Sequence, residues 1–282
     1  MKLFITGGTG FIGKHLVNLA LNQDHEVTVL SRKPIENIFK ISKNLKNIIL
    51  DIKDIENIDF EEYDVLINLA AVGLSPRITS WSNLVDINIL SALKICQKAK
   101  QIGARFIQIG SFCEYGISAN KYIEIPVEAP LKPTFAYAAS KATSYQMIYG
   151  YCISENIELA YLRLFNVYGE GQYEKNIWPA LKKSAFNNEN FSLTPGAQVR
   201  DFISVKDVAR IILKISTLPS FYFTNPLVLN VGSGNPTTVL DFCKYWWKKW
   251  GAKGKLIPGD FNYRKNEVMR YVPYIEKDLL FK

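Results

Sequence analysis

Three polar side chains in the middle of the chain have the types and spacing needed for acid–base chemistry. Tyr137 and Lys141 are one helical turn apart, so a helix beginning after Pro133 would carry the phenol and the ammonium on one face. A tyrosine, whose usual pKa is about 10, exchanges protons poorly at neutral pH unless a neighbouring cation stabilises its phenolate. Lys141 would supply that cation, and the Ser111 hydroxyl would orient a substrate oxygen toward Tyr137.

The same Tyr-x-x-x-Lys spacing recurs at Tyr245 and Lys249, and the position in the chain separates the two matches. Tyr137 opens the helix after the fifth predicted strand, behind the Ser111 loop at the carboxyl end of that strand, where parallel α/β sheets bind ligands. Tyr245 lacks this context. We therefore predict that Ser111, Tyr137 and Lys141 are catalytic and interpret the second match as accidental.

A glycine-rich loop near the N-terminus predicts a binding site for a dinucleotide. The apolar strand Lys2–Thr6 runs into Gly-x-Gly-x-x-Gly at residues 8–13, and the apolar pattern of a helix follows. Such glycines make a tight turn, let the main chain approach a pyrophosphate and allow close helix–strand packing, while the helix N-terminus faces the anion. The residues expected to hold the cofactor here are Gly7, Gly10, Phe11, Ile12 and Gly13.

Residues after the next three predicted strands bear on which dinucleotide binds. Where an NAD enzyme usually has an acidic residue for the ribose hydroxyls, this chain has Ser31, Arg32 and Lys33. Their cations would bind a 2′-phosphate, which predicts NADP(H), although a solvated basic turn is the alternative. The remaining residues expected at the cofactor are Asp51 and Ile52 near the adenine, Leu69, Ala70 and Ala71 over the strand ends, and Lys141 at the nicotinamide ribose.

The composition excludes several classes of protein. The chain has 282 residues, of which 48% are hydrophobic and 21% charged, so it can bury a sizeable core as an ordinary globular protein does. No apolar run is long enough to span a bilayer, and a strand stands where a signal peptide would lie, so we expect no membrane contact and a cytoplasmic location. The net charge of +8 suits an anionic ligand.

The cysteines, histidines and lysines predict neither a metal site nor a nucleic-acid surface. The four cysteines form no C-x-x-C pair and are interpreted as free thiols, and two histidines are too few for a metal cluster. The densest basic cluster, residues 244–255, is interleaved with tryptophans. We interpret it as the polar face of a helix backed by buried tryptophans, because no nucleic-acid-binding motif accompanies the charge.

Strands that alternate with helices predict a doubly wound parallel sheet of the Rossmann type. The predicted elements are strands 2–6, 25–30, 48–50, 65–69 and 105–110 and helices 11–22 and 82–101. In the second helix we expect Val85, Ile89, Leu93 and Ile95 to face inward. A smaller, discontinuous substrate lobe would follow, giving a cofactor domain of residues 1–165 and 199–230 and a lobe of residues 166–198 and 231–282.

The chain resembles the extended short-chain dehydrogenases/reductases, the superfamily of nucleotide-sugar epimerases, dehydratases and reductases. The matching segments are residues 6–13 (TGGTGFIG), 51–52, 68–71, 111–116 (SFCEYG), 137–141 (YAASK), 163–169 (RLFNVYG), 199–203 (VRDFI), 230–234 (NVGSG) and 264–267 (RKNE). They span nearly the whole chain in the order of the family. The resemblance implies that Asn166 contacts the sugar nucleotide near its phosphates and that Arg200 and Arg264 bind the pyrophosphate, as suits a planar bidentate donor.

The residues after Ser111 argue against a dehydratase. Nucleotide-sugar dehydratases of this superfamily place an Asp-Glu pair there to expel a hydroxyl and abstract a proton, whereas this chain has Phe112 and Cys113, with Glu114 one place late. The basic turn after the second strand favours exchangeable NADPH. The sequence therefore predicts a 4-ketoreductase for a nucleotide-linked 4-keto-6-deoxyhexose, in which Tyr137 protonates the new alkoxide and Ser111 polarises the carbonyl.

Two other functions stay open at this point. One is an NAD(P)-dependent nucleotide-sugar 4-epimerase, or an epimerase-reductase that uses Cys113, although the histidine that pairs with such a cysteine is replaced by Glu170 and Gly171. We interpret Cys113 as a thiol that lines the substrate pocket. The other alternative is a catalytically silent NADP-binding protein, which retention of Tyr137 and Lys141 argues against.

The resemblance also implies an assembly and a difference in length. Family members dimerise through the two long helices near residues 82–101 and 137–154, so a homodimer built on a four-helix bundle is expected. The family pattern continues past Arg264-x-x-Glu267 into a closing turn and a final helix, whereas this sequence stops at Lys282. A more open nucleotide pocket is expected for that reason.

Overall fold

A parallel sheet of seven strands forms the centre of the protein in the computed structural model, which describes residues 1–40, 42–60, 62–74, 77–265 and 267–281. The strands are β1 (Lys2–Thr6), β2 (Glu26–Ser31), β3 (Leu45–Ile49), β4 (Val65–Asn68), β5 (Arg105–Ser111), β6 (Leu159–Leu164), β7 (Asn166–Tyr168), β8 (Phe191–Leu193), β9 (Val199–Ser204), β10 (Leu227–Val231), β11 (Pro236–Thr238), β12 (Leu256–Pro258) and β13 (Arg270–Tyr271). The large sheet has the order β10-β6-β5-β4-β1-β2-β3, and every neighbouring pair in it is parallel.

Helices cover both faces of this sheet. The helices of the described structure are α1 (Phe11–Asn22), α2 (Trp81–Leu84), α3 (Ala92–Ile102), α4 (Ala136–Glu155), α5 (Ile177–Asn187), α6 (Val205–Ser216), α7 (Val239–Lys249) and α8 (Lys277–Phe281). Of these, α5 and α7 pack on each other in a separate apolar cluster. A π-helical segment, Val85–Ser91, joins α2 to α3. The predicted fold class, a doubly wound α/β sheet, is confirmed, and the predicted strand and helix positions in the first half agree to within about three residues at each end.

The alternating side chains of β1 show how the two layers of core arise. Leu3 and Ile5 point to the face covered by α1 and α6, whereas Phe4 points to the face covered by α3 and α4. All three side chains are fully buried. A central parallel strand must be apolar on both faces, which is why the sequence KLFIT shows no alternation of polar and apolar residues.

The helical region 81–102 corrects the predicted inward face. Ile95 is fully buried as expected, but Val85 is 41% exposed and Ile89 and Leu93 are only half-buried. The buried face instead carries the polar Asn88, whose side-chain amide donates to Val72 O at 3.0 Å and whose oxygen accepts from Val72 N at 2.9 Å. Leu84 and Ile87 are buried on the same face, and the stripe of Val85, Ile89 and Leu93 lies nearer the surface.

The second half of the chain builds smaller sheets beside the carboxyl edge of the large one. Strand β9 is central, pairing in parallel with β7 and β13 and antiparallel with β11, while β8 pairs with β12. Strand β10 returns to the large sheet beside β6. The division into a cofactor domain and a discontinuous substrate lobe stays a prediction.

Candidate active site

Ser111 ends β5 at the carboxyl edge of the large sheet, where its side chain is buried. Its main-chain N–H donates to Glu114 Oε1 at 2.7 Å, and its hydroxyl accepts from the Cys113 N–H at 3.3 Å. Together these bonds form a capping box around the 3₁₀ turn Phe112–Tyr115. The turn therefore fixes the place of the Ser111 hydroxyl.

Tyr137 and Lys141 lie in the first two turns of α4, and both side chains are buried. Burial raises the pKa of Tyr137, the neighbouring Cys113 and Glu114 raise it further, and the adjacent Ser111 hydroxyl lowers it. Burial lowers the pKa of Lys141 from its ordinary value of 10.5 to about 8, with the charge of Glu114 opposing the change. Tyr137 is thus a protonated phenol at neutral pH.

The Lys141 ammonium donates to the carbonyl oxygen of Ile109 on β5. In the described structure it makes no hydrogen bond to Tyr137, and its charge is not among the causes of the Tyr137 pKa shift. The sequence predicts that Lys141 lowers the pKa of Tyr137. Among the protein groups that act on Tyr137, burial has the largest effect on its pKa, and that effect is to raise it.

The glycine loop after β1 leaves main-chain N–H groups open for an anion. Gly10 is the N-cap of α1 and supplies no side chain, and the first turn of this helix has no acidic residue. Gly7 has φ +68, and a Cβ there would lie 2.7 Å from Ala70 N. The loop therefore has both the close main-chain approach and the exposed helix N-terminus that fit a pyrophosphate.

Buried polar side chains tie the strand ends together, and sequence reasoning did not assign them this role. The Thr6 hydroxyl donates to Asn68 Oδ1 at 2.5 Å, and Asn68 Nδ2 donates to Gln108 Oε1 at 2.8 Å. Asn88 Nδ2 also donates to Ser140 Oγ at 2.9 Å. Because Asn88 bonds to Val72 as well, it links the loop after β4 to α4. Polar residues inside otherwise apolar strands were the signal that would have found them.

The residues predicted to select the cofactor differ in how many hydrogen bonds they already make to other protein groups. The Ser31 hydroxyl donates to Lys33 O at 2.6 Å and accepts from Asn47 Nδ2 at 2.8 Å. Arg32 is exposed and has no hydrogen bond or ion pair within the described ranges. Asp51 accepts from Lys53 N at 3.0 Å, so one of its oxygens caps the following turn. Of these residues, Arg32 is therefore the one whose hydrogen-bond donors make no bond to another described protein group.

The other predicted cofactor residues lie along the same edge. Ile52 packs half-buried against the core beside α3, and the Leu69 N–H donates to Thr6 O at 3.2 Å. Leu69 and Ala70 are half-buried, whereas Ala71 is exposed. Small side chains at this point leave the carboxyl edge of β4 open to a ligand.

Cys113 and Arg200 lie near each other on the substrate side. Burial raises the pKa of Cys113 to about 11, while the positive charge of Arg200 lowers it in part. A thiol with this pKa is protonated at neutral pH and is a poor nucleophile. Asn166, at the start of β7, donates to Asp201 O at 3.3 Å.

The two predicted pyrophosphate-binding arginines have very different surroundings. Arg200 is buried, and its Nη2 donates to Glu267 Oε1 at 2.7 Å and to Val268 O at 2.8 Å. Its Nη1 donates to Val199 O at 2.9 Å. Arg264 is exposed, and its side chain has no described partner. The structure thus joins Arg200 to the site near Cys113 and leaves Arg264 at the surface.

The second Tyr-x-x-x-Lys match lies on the exposed face of α7. Tyr245 is 59% exposed, and Lys249 Nζ is 3.4 Å from its hydroxyl. Trp247 is buried behind this face, whereas Trp246 and Trp250 are half-buried and pack on Trp178. Among the described residues, no helix is long and apolar enough to cross a membrane.

A parallel sheet with a glycine loop at β1 and a buried Ser-Tyr-Lys set at β5 and α4 defines a Rossmann-like α/β protein whose polar residues are suited to proton transfer. The chain belongs to the NAD dependent epimerase/dehydratase family, whose model matches residues 3–232. The resemblance to extended short-chain dehydrogenases/reductases is therefore confirmed.

The relatives of similar sequence include a putative 4-epimerase. The chain is 28% identical over 283 residues to a putative UDP-glucose 4-epimerase from Methanocaldococcus jannaschii, with 98% of this chain and 90% of that protein covered. It is 25% identical to protein CapI from Staphylococcus aureus, with 92% of this chain and 88% of CapI covered.

Several solved structures share the fold of this chain. The UDP-N-acetylglucosamine 4-epimerase from Methanobrevibacter ruminantium M1, in complex with UDP-N-acetylmuramic acid, superposes with a TM-score of 0.84 at 23% identity, covering 100% of this chain and 92% of that one. A variant of the UDP-glucuronic acid 4-epimerase from Bacillus cereus, in complex with a UDP-sugar and NAD, gives a TM-score of 0.84 at 22% identity, covering 99% and 93%. At these identities the likeness establishes the fold.

Proposed function

We propose that this protein is an NAD(P)-dependent 4-epimerase that acts on a nucleotide-diphosphate sugar. The observation that carries the proposal is the buried Ser111–Tyr137 pair with a thiol, Cys113, beside it instead of a carboxylic acid. This set can move one proton at one sugar hydroxyl and lacks the acid that elimination of a hydroxyl requires. The names of the full-length relatives favour epimerisation over the 4-ketoreductase that the sequence alone predicts.

In this proposal Tyr137 takes the proton from the sugar 4-hydroxyl and later returns it to the same oxygen, which then lies on the opposite face of the ring. Ser111 donates a hydrogen bond to the same oxygen while it is a carbonyl. The nicotinamide cofactor, when bound, supplies the acceptor and the later donor of hydride at C4. Because burial keeps Tyr137 protonated, the protein residues favour the proton-returning step, and the proton-accepting step requires a nearby positive charge.

The proposed cofactor site follows the carboxyl edge of the sheet. The main-chain N–H groups of Phe11, Ile12 and Gly13 would hold the pyrophosphate at the N-terminus of α1. Asp51 and Ile52 would flank the adenine, and Lys141 would hold the nicotinamide ribose. The open donors of Arg32 support acceptance of a 2′-phosphate and hence of NADP.

On the substrate side, Arg200 is the proposed pyrophosphate ligand, because Glu267 already holds its guanidinium in one orientation. Asn166 would contact the sugar nucleotide near its phosphates, and Arg264 would approach from the surface. Cys113 would line the sugar pocket as a neutral thiol.

A second candidate is the 4-ketoreductase of a nucleotide-linked 4-keto-6-deoxyhexose. The observation that favours it is the exposed, unpaired Arg32 after β2 within the described part of the chain, since NADPH is the usual donor for net reductions. Both candidates use Ser111, Tyr137 and Lys141 in the same positions, so they differ in the source of the hydride added to C4. In the epimerase it would come from the substrate, with no net change in the cofactor, whereas in the ketoreductase it would come from NADPH, which is consumed.

The deciding experiment follows sugar configuration and cofactor redox state together. The purified protein would be incubated with UDP-glucose, UDP-N-acetylglucosamine and UDP-glucuronic acid in the presence of NAD or NADP, and product NMR would be recorded. Formation of the C4 epimer without net change in nicotinamide absorbance, lost in Tyr137→Phe, is the expected result. Net NADPH consumption with a 4-keto-6-deoxyhexose, and no epimer formation, would establish the ketoreductase instead.

We also propose a homodimer through a four-helix bundle. The helical region 81–102 and α4 present exposed apolar side chains toward solvent. These are Trp81, Val85, Leu90, Met147 and Ile153. Several exposed apolar side chains on two neighbouring helical segments are typical of a protein–protein interface.

A further inference from the structure

A buried carboxylate lies directly behind Ser111. Glu114 is fully buried, and its Oε1 accepts from the Ser111 N–H at 2.7 Å and from the Tyr161 hydroxyl at 2.9 Å. Its Oε2 accepts from Arg163 Nε at 2.8 Å, and the Arg163 side chain is only 1% exposed. Gly110 makes room for this carboxylate, since a Cβ there would lie 2.8 Å from Oε1. Both carboxylate oxygens of Glu114 therefore accept hydrogen bonds from protein groups.

Arg163 is held as firmly as its partner. Its Nη1 donates to Val127 O at 2.9 Å and to the Tyr115 hydroxyl at 3.2 Å. The guanidinium also lies 4.3 Å from the centre of the Tyr145 ring. With both ends of the ion pair fixed, the Ser111 main chain is bonded to a carboxylate that has no freedom to move.

Stability alone does not explain such a pair. The desolvation of two buried charges offsets most of their attraction, and a well-packed apolar replacement is often equally stable. Glu114 lies in the turn after β5, and Arg163 lies in β6. The pair therefore connects two strands that main-chain hydrogen bonds already join. What the pair adds is a fixed position and a buried negative charge at the catalytic end of β5.

That negative charge faces both groups that would exchange protons. It opposes the effect of burial on Lys141, and it disfavours ionisation of Tyr137. The other titratable and charged groups around this pocket are Cys113, Tyr115, Tyr145, Tyr161, Arg163 and Arg200. Glu114 is the carboxyl group of this pocket, and it forms an ion pair with Arg163.

We propose that Glu114 is a positioning residue, which fixes Ser111 through its main chain and places a buried negative charge in the pocket that holds Lys141. The proposal rests on the proposed function for the catalytic roles of Ser111 and Lys141. Glu114 itself touches neither the reacting sugar nor the cofactor. It acts through Ser111 by a hydrogen bond and through Lys141 by charge.

A titration of Lys141 tests the electrostatic half without any sugar. Protein labelled with ¹³C at lysine Cε would be followed by NMR, and Lys141→Met would identify the signal. The wild-type midpoint is expected at about pH 8. In Glu114→Gln it should fall by about half a pH unit or more, because the favourable charge is gone while Arg163 remains. In Tyr161→Phe, which keeps the charge, the midpoint should stay near the wild-type value.

The positioning half is tested by a double variant that removes the ion pair while preserving packing. Glu114→Val with Arg163→Met leaves no unpaired buried charge, but the Ser111 N–H and the Tyr161 hydroxyl lose Glu114 as their acceptor. The free energy of unfolding should therefore fall moderately, and kcat is measured under conditions in which circular dichroism shows that the variant is folded. Its kcat should fall about 10- to 100-fold with little change in KM, because Ser111 loses its fixed orientation.

Two results would overturn the proposal. One is a wild-type Lys141 midpoint in folded Glu114→Gln, and the other is a wild-type kcat in the double variant. If no sugar is turned over by the wild-type protein, the proposed function fails, but the Lys141 titration still decides whether Glu114 controls that charge. The two failures are therefore distinguishable.

Discussion

An ideal Cβ atom at Gly13 would lie 2.2 Å from the carbonyl oxygen of Gly7 and 2.6 Å from the Cα of Gly8. These are contacts with main chain, which cannot rotate away as a side chain can. The helix α1 thus approaches the loop after β1 more closely than any side chain permits. The same loop turns the open N–H groups of α1 outward, so the close packing and the anion site share one cause.

Gly13→Ala should therefore separate α1 from the loop and weaken dinucleotide binding by about tenfold or more, equivalent to at least ~1.4 kcal/mol. Titration calorimetry with NAD and NADP would measure the change, with circular dichroism to verify the fold. The matched control is Asn18→Ala on the exposed face of the same helix. Unchanged affinity for both dinucleotides in a folded Gly13→Ala protein would contradict the proposed cofactor site.

Arg32→Ala should weaken NADP binding about tenfold and leave NAD binding nearly unchanged. The reason is that Arg32 is exposed with open donors after β2, where a guanidinium bonds a 2′-phosphate in two places. The wild-type preference for NADP should also decrease as salt is raised, because an exposed charge pair is screened. The dissociation constants of both dinucleotides would be measured, with exposed Lys206→Ala as the control. Equal weakening of both would mean that Arg32 does not bind the 2′-phosphate.

Glutamate at Val85 or Met147 should convert the proposed dimer to a monomer. Each change places a charge within the exposed apolar surface of the helical region 81–102 and α4, where desolvation of the carboxylate opposes association. Light scattering coupled to gel filtration would give the mass of Val85→Glu and Met147→Glu. Phe221→Glu, at a more exposed apolar residue elsewhere, is the control. A monomeric wild-type protein would contradict the proposed dimer.

The parts of the fold that sequence analysis predicted are those that local patterns determine. A strand followed by a glycine loop and a helix is set by residues close in the chain, and β1 and α1 have the predicted bounds. The i, i+4 spacing of Tyr137 and Lys141 likewise depends on one helix. Their common burial on α4 follows from that spacing and from the preceding prolines.

What sequence analysis missed depends on residues distant in the chain. The Glu114–Arg163 pair joins residues 49 positions apart, and Arg200 meets Glu267 at a separation of 67. A regular apolar spacing gave the wrong inner face for residues 85–93, where the buried residues are Ile87 and a polar residue, Asn88, which bonds to Val72, together with Ser91 and Ala92. Burying a polar group requires a partner, and the partner is not visible in the local pattern.

Lys141 is a cation held in the interior at a cost to stability. Its pKa is lowered by burial to about 8 from an ordinary value of 10.5. Below about pH 8 the lysine is charged in the folded and the unfolded protein alike, so the full cost of burying the ammonium applies. Between about pH 8 and 10.5 the unfolded chain binds more protons than the folded protein, and stability must rise with pH.

Lys141→Met should therefore raise the free energy of unfolding at pH 7 by about 1–3 kcal/mol while abolishing turnover. The upper value is the cost of the pKa shift, and the loss of the hydrogen bond to Ile109 O reduces it. Denaturant unfolding of both proteins from pH 7 to 10.5 would show the difference shrinking as the wild-type lysine becomes neutral. Lys206→Met, an exposed control, should show no such pH dependence. A Lys141→Met protein that is less stable than wild type at pH 7 would mean that the ammonium, through its bond to Ile109, stabilises the fold more than its burial costs.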